Sequence, residues 1–151
     1  MKNAFCYLLR VRYAECDAQK VVFNAKYVEY IDVAATEFIR ALFGSYNNLL
    51  AVGIDTQVVN VTVNWKAPAF FDEVLAVTIH TKRIGTTSYT LAIGFYNYEE
   101  QREIATAEIT YVIVDAKKHT KMAVADDMRA TLEKGAPDVV VNHADVEVVK
   151  S

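Results

Sequence analysis

The chain has 151 residues, 53% of them apolar and 23% charged. That balance argues against disorder, and the length suits one domain better than two. A formal net charge of -3 and a pI near 5.6 argue against a general nucleic-acid binder, which carries a basic excess.

Two cysteines, Cys6 and Cys16, are too few for a disulfide scaffold, so the expected compartment is reducing, with the cytoplasm as default. The opening apolar run is interrupted by Arg10 and Arg12. No signal peptide and no stretch near the ~20 apolar residues of a membrane helix are read, so no membrane partner is expected.

Residues Phe5 to Tyr13, rich in aromatic and branched side chains, predict a strand. The segment AECDAQKVVFN follows neither period and reads as a loop. From Ala25 to Phe43 the apolar residues Tyr27, Val28, Ile31, Ala34, Ala35, Phe38, Ile39 and Leu42 recur at three- and four-residue steps, which predicts an amphipathic helix. Asn24 is the expected N-cap and Gly44 the expected stop. Ser45 to Ile54 reads as a short helical turn and loop.

The period then falls to two. Val59, Val61 and Val63 alternate with Asn60, Thr62 and Asn64. Val74 to Lys82, Ser88 to Tyr98 and Glu103 to Val114 are further strands, separated by short breaks that suit hairpins. Pro68 suits an edge or a bulge. Asp126 to Lys134 predicts a short helix, and the Val-rich tail after Pro137 admits either a strand or a free end. This order gives an α+β layer arrangement of one helix on one antiparallel sheet, in a single domain over 1–134 with an extension over 135–151. One helix leaves apolar sheet area uncovered, which predicts self-association.

Three histidines, His80, His119 and His143, stand in a strand, a polar turn and the tail, outside any nucleophile motif. No CxxC, HExxH, Walker loop or GxGxxG occurs, so no metal or cofactor is expected. Asp17 stands out by position, in a loop just before the long helix. A helix start offers unpaired N–H groups that bind a polarised carbonyl oxygen, and a nearby carboxylate can attack or activate water. A plain loop aspartate or cap is the competing reading. Cys16 reads as a packed thiol.

The run VRYAECDAQKVVFNAKYVEYIDVAATEFIRAL resembles the 4-hydroxybenzoyl-CoA thioesterase family of hotdog proteins. Asp17, Val21, Val22, Phe23, Asn24 and Tyr27 fall on its pattern of aspartate, loop, hydrophobic pair, aromatic and tyrosine-bearing helix. NVTVNWKAPAFFDEVLAVTIHTKRIGTTSYTL and EIATAEITYVIVDAKKHTKM resemble its later strands, so the likeness spans roughly residues 5 to 133. It implies a hotdog fold, with a long central helix wrapped by about five antiparallel strands. It implies hydrolysis of an acyl-CoA thioester to free acid and CoA, with Asp17 as nucleophile or general base and backbone N–H groups near Asn24 holding the thioester oxygen. Tyr13, Phe23, Tyr27 and Trp65 would line the pocket. Lys82, Arg83 and the turn Gly85, Thr86, Thr87, Ser88 would meet the CoA, against the alternative of a solvated hairpin end; Lys117, Lys118 and Lys121 form a second basic turn. Two subunits would complete each site in a homodimer or homotetramer.

Relatives commonly carry glycine where this chain has Lys20. Glycine permits a left-handed backbone there; lysine tolerates it at a cost, or reshapes the pocket mouth and sets a cation near Asp17. A non-catalytic acyl-CoA-binding module, an acyl-carrier-protein thioesterase and a hotdog dehydratase or hydratase are the alternatives. The last usually needs a histidine, and none lies in the Asp17 loop or the long helix.

Overall fold

The computed structural model describes residues 4–148. The first strand, β1 (Phe5–Arg10), stops short of the predicted Tyr13, because Tyr13–Glu15 closes a single turn of 3₁₀ helix. A loop leads into helix α1 (Lys26–Phe43) and a short helix α2 (Tyr46–Ala51). Four strands follow: β2 (Ile54–Trp65), β3 (Val74–Ile84), β4 (Ser88–Asn97) and β5 (Glu103–Asp115). Helix α3 (Asp126–Lys134) and a three-residue strand β6 (Val140–Asn142) complete the chain.

One six-stranded sheet results, in the order β2-β5-β4-β3-β1-β6. It is antiparallel throughout except for β6, which pairs parallel to β1 through Cys6–Val140, Tyr7–Val141 and Leu8–Asn142. The sheet thus has one strand more than the five expected, and the tail supplies it.

Helix α1 lies across the inner face of this sheet. Its buried stripe is Tyr27, Tyr30, Ile31, Ala34, Ala35, Phe38 and Ile39. It packs in one core with Leu75, Val77 and Ile79 of β3, with Leu91, Ile93 and Phe95 of β4, and with Ala107 and Ile109 of β5. Phe38 meets Phe5 of β1 edge-on at 5.4 Å. Each large side chain buried in this way contributes about 1.5–3 kcal/mol. A long central helix wrapped by an antiparallel sheet is the hotdog arrangement. The outer face carries a second, smaller cluster of Leu8, Val74 and Ala76, covered by Ala144 of the tail.

Helix α1 ends as expected at Gly44, whose φ of 84° is the left-handed conformation that glycine adopts freely. Its start differs from expectation. Ala25 takes the cap position and no side chain bonds there, so Asn24 is not an N-cap. Three successive backbone bonds tighten the entry instead: Lys26 N–H to Phe23 C=O at 2.9 Å, then Tyr27 to Asn24 and Val28 to Ala25 at 3.3 Å.

Candidate active site

Asp17 begins a small hairpin. Its N–H donates to Val21 C=O and its C=O accepts from Lys20 N–H, both at 2.9 Å. Cys16 pairs with Val22, and Val21 pairs with Phe70 in the loop before β3. The Asp17 side chain is exposed; Oδ1 accepts the Gln19 N–H at 2.8 Å, which fixes that oxygen. Lys20 turns the hairpin with φ 63°, the left-handed backbone that favours glycine. Of the two outcomes open to a lysine at this point, the chain takes the strained backbone.

The hairpin's apolar VVF segment returns the chain to the sheet, with Val22 buried and its N–H bonded to Ala69 C=O at 2.9 Å. This brings Asp17 to the start of α1. A groove of about 430 Å³ opens there, lined by Asp17, Phe23, Asn24, Tyr27, Trp65 and the Lys66–Pro68 turn. Five of the predicted site residues therefore meet on one surface. The N–H groups of Asn24 and Ala25 donate to no other group among the described residues. They are the free donors that a helix entry offers to an anionic oxygen.

Tyr27 forms the floor. Its ring is 2% exposed and stands edge-on to Trp65 at 5.7 Å and to Phe95 at 5.3 Å. Burial pushes its phenol up to about 12, against a lowering backbone hydrogen bond from Ala69, so the hydroxyl stays protonated at neutral pH. Phe23 and Trp65 are half exposed and form apolar walls. Tyr13 lines a second groove of about 400 Å³ that also takes in Asp17, with Cys16, Ala18, Lys20 and Phe71. Tyr13 and Phe71 meet edge-on at 5.8 Å. Phe71 was not singled out from the sequence, because an aromatic in an aperiodic loop carries no pattern.

Lys82, Arg83, Gly85, Thr86, Thr87 and Ser88 line neither groove. Lys82 sits at a bulge in β3 and pairs with Glu108 at 2.8 Å. The turn that follows is tied down from α3, where Arg129 donates to Gly85 C=O at 2.8 Å. Within one chain these residues are thus not brought to Asp17. Lys117 and Lys118 donate backbone N–H groups to the Asp115 carboxylate, which organises the second basic turn.

Burial raises the Cys16 thiol, and the Glu15 and Asp17 carboxylates raise it further. A protonated thiol is a poor nucleophile, in keeping with a packed role. His80, His119 and His143 line neither groove; His143 Nδ1 lies 2.9 Å from Tyr7 Oη. No group of three His, Cys, Asp or Glu side chains is placed to hold a metal among the described residues. No helix among them is long and apolar enough to cross a membrane.

The model of the thioesterase-like superfamily matches residues 11–132. The acyl-CoA thioester hydrolase YbgC of Escherichia coli is 32% identical over 114 residues, covering 76% of this chain and 84% of that protein. The long-chain acyl-CoA thioesterase FadM of E. coli is 27% identical over 126 residues, covering 83% and 95%. Among solved structures, the probable thioesterase YbaW of E. coli superposes with a TM-score of 0.75 at 26% identity, covering 87% of this chain and 98% of that one.

Proposed function

The chain belongs to the thioesterase-like superfamily, and on that premise we propose that Asp17 carries its hydrolysis of acyl-CoA thioesters. The observation that carries this reading is the groove that Asp17 and Asn24 line together, beside the free N–H groups at the start of α1.

In that groove the thioester carbonyl oxygen is held by the Asn24 and Ala25 N–H groups. The Asp17 carboxylate either attacks the carbonyl carbon or takes a proton from a water that does. Negative charge moves onto the carbonyl oxygen, where the fixed donors stabilise it more than they stabilise the ground state. Collapse expels the CoA thiolate; on the base path the attacking water has supplied the second oxygen of the free acid, and on the nucleophilic path a water then opens the anhydride, releasing the acid and restoring the Asp17 carboxylate. Phe23, Trp65 and Tyr27 offer the acyl group an apolar surface, with Tyr13 at the mouth. Attack by the carboxylate forms an acyl-aspartyl anhydride, whereas base catalysis does not. Single-turnover hydrolysis in labelled water detects an anhydride that water opens at its aspartyl carbonyl, because solvent oxygen then enters Asp17 and an Asp17 oxygen leaves in the acid, whereas base catalysis puts solvent oxygen into the acid alone.

The finer assignment, to the 4-hydroxybenzoyl-CoA thioesterase family, is supported by the run from Asp17 through Val21, Val22, Phe23 and Asn24 to Tyr27. The proposal includes a cytoplasmic homotetramer in which the Lys82–Ser88 region of one subunit meets CoA bound at the Asp17 of another. The exposed Val58 and Val59 on the edge strand β2 support self-association. The catalytic unit spans 1–134, with 135–151 as an extension that adds β6 to the β1 edge.

Thiol release over a panel of acyl-CoA and acyl-carrier-protein thioesters tests the function. Turnover of at least one acyl-CoA is expected. CoA binding without turnover of any thioester would favour a binding module, and turnover of carrier-protein thioesters alone would reassign the substrate. Light scattering tests the assembly, and a stable monomer would refute the shared site.

A further inference from the structure

Among the described residues Glu15 is one of three buried polar or charged ones, at 7% exposure, two positions before Asp17. Both of its carboxylate oxygens are engaged. Oε1 accepts the Arg12 backbone N–H at 2.8 Å and the Tyr30 hydroxyl at 2.9 Å. Oε2 accepts the Arg12 guanidinium, from Nη2 at 2.9 Å and Nε at 3.1 Å. Its backbone carbonyl accepts the Phe23 N–H at 2.9 Å.

These bonds have a consequence for geometry. The Glu15–Phe23 bond closes the base of the hairpin that carries Asp17. The Tyr30 bond reaches from that base to the first turns of α1, whose entry supplies the N–H donors. The carboxylate and the donors sit on separate elements, and the Glu15–Tyr30 link crosses between them. Arg12 is largely exposed, so its pairing alone adds little to stability. The desolvation of this carboxylate is offset by its four hydrogen bonds, and of these only the Tyr30 bond crosses to α1.

We propose that Glu15, through Tyr30, is a positioning residue that sets the Asp17 hairpin against the α1 entry, so that attack and oxyanion stabilisation act on one carbonyl. This rests on the assignment of Asp17 above. Neither Glu15 nor Tyr30 lines the groove around Asp17 and Asn24; both line a separate groove of about 420 Å³ with Tyr7, Arg12 and His143.

Steady-state kinetics on Tyr30→Phe, Glu15→Gln, Glu15→Ala, Asp17→Asn and the double variant Tyr30→Phe/Asp17→Asn test it, with circular dichroism and CoA affinity measured on each. Tyr30→Phe removes one hydroxyl and keeps the ring. Its kcat is expected to fall about tenfold with KM unchanged, approaching the roughly 10²-fold that a misplacement of about 1 Å costs in Glu15→Ala. Glu15→Gln, which keeps an acceptor for Tyr30, recovers part of the loss. In the double variant, Tyr30→Phe lowers the residual rate of Asp17→Asn no further, because a residue acting through Asp17 has no effect once that carboxylate is gone. Wild-type turnover by Asp17→Asn overturns the reading on which this rests. Loss of activity in Asp17→Asn together with wild-type kcat in Tyr30→Phe, or an additive loss in the double variant, overturns the positioning role alone.

Discussion

Lys20 holds a left-handed backbone at φ 63°. Two hydrogen bonds pin it there: its N–H to Asp17 C=O at 2.9 Å, and the Phe71 N–H to its own C=O at 3.1 Å. A side chain in this conformation brings Cβ close to the following carbonyl, at a cost of roughly 1–2 kcal/mol. Glycine removes that cost but gives the unfolded chain more freedom, which returns about 0.5–1 kcal/mol. Lys20→Gly is therefore expected to stabilise the fold by about 0.5–1 kcal/mol, or about 2 °C in Tm for a chain of this size. Lys20→Ala keeps the Cβ and loses the ammonium, so the difference between the two variants isolates the backbone effect from charge. Urea unfolding followed by circular dichroism, at one fixed chain concentration, measures it. A Lys20→Gly protein no more stable than Lys20→Ala would refute the reasoning.

Two further outcomes follow from buried contacts. Burial alone would raise the Glu15 carboxyl, but hydrogen bonds from the Arg12 backbone, the Arg12 guanidinium and Tyr30 outweigh it and hold the group below its ordinary 4.5. A carboxyl lowered in the folded state contributes stability above its unfolded value and loses it as pH falls through the folded one. The stability gap between wild type and Glu15→Gln should thus be full near neutral pH and shrink on acidification below about pH 4.5, as urea midpoints across a pH series will show; a gap constant down to pH 3 would contradict this. On the outer sheet face, a Cβ at Gly94 would lie 2.6 Å from the Tyr96 ring and 2.9 Å from Thr78 Oγ1. Gly94→Ala is expected to cost about 1–3 kcal/mol in chemical denaturation, and Tyr96→Ala should relieve part of it in the double variant.

Helix α1 was legible because Ile31, Ala34, Phe38 and their neighbours repeat with the helical period, and the hairpin strands because their alternation meets a half-covered sheet. The meeting of Asp17, Phe23, Asn24, Tyr27 and Trp65 was legible through the family pattern more than through periodicity. The misplaced cap at Asn24 has a local cause: the tightened turn from Phe23 satisfies the entry through backbone bonds, and a side-chain cap is not used. The tail reads equally as a strand or a free end in sequence, because the three residues of β6 carry no periodic signal and their partner β1 lies more than a hundred residues earlier. The Glu15–Tyr30 bond was hidden for a similar reason, since it exists only once the chain folds back across fifteen residues. The Lys82–Ser88 region reads as a basic turn in sequence, yet within one chain it lines neither groove beside Asp17.

The proposed role of the Asp17 carboxylate is to perform the hydrolysis. Its side chain is exposed and bonded only to the Gln19 N–H among the described residues, so Asp17→Asn keeps the shape of the site and leaves the fold intact. The decisive measurement is kcat of Asp17→Asn against wild type on the best acyl-CoA substrate, with CoA affinity measured in parallel. A fall of at least about 10²-fold in kcat at unchanged affinity is predicted, the scale of losing a positioned base or nucleophile. Turnover by Asp17→Asn within a few-fold of wild type would contradict the account.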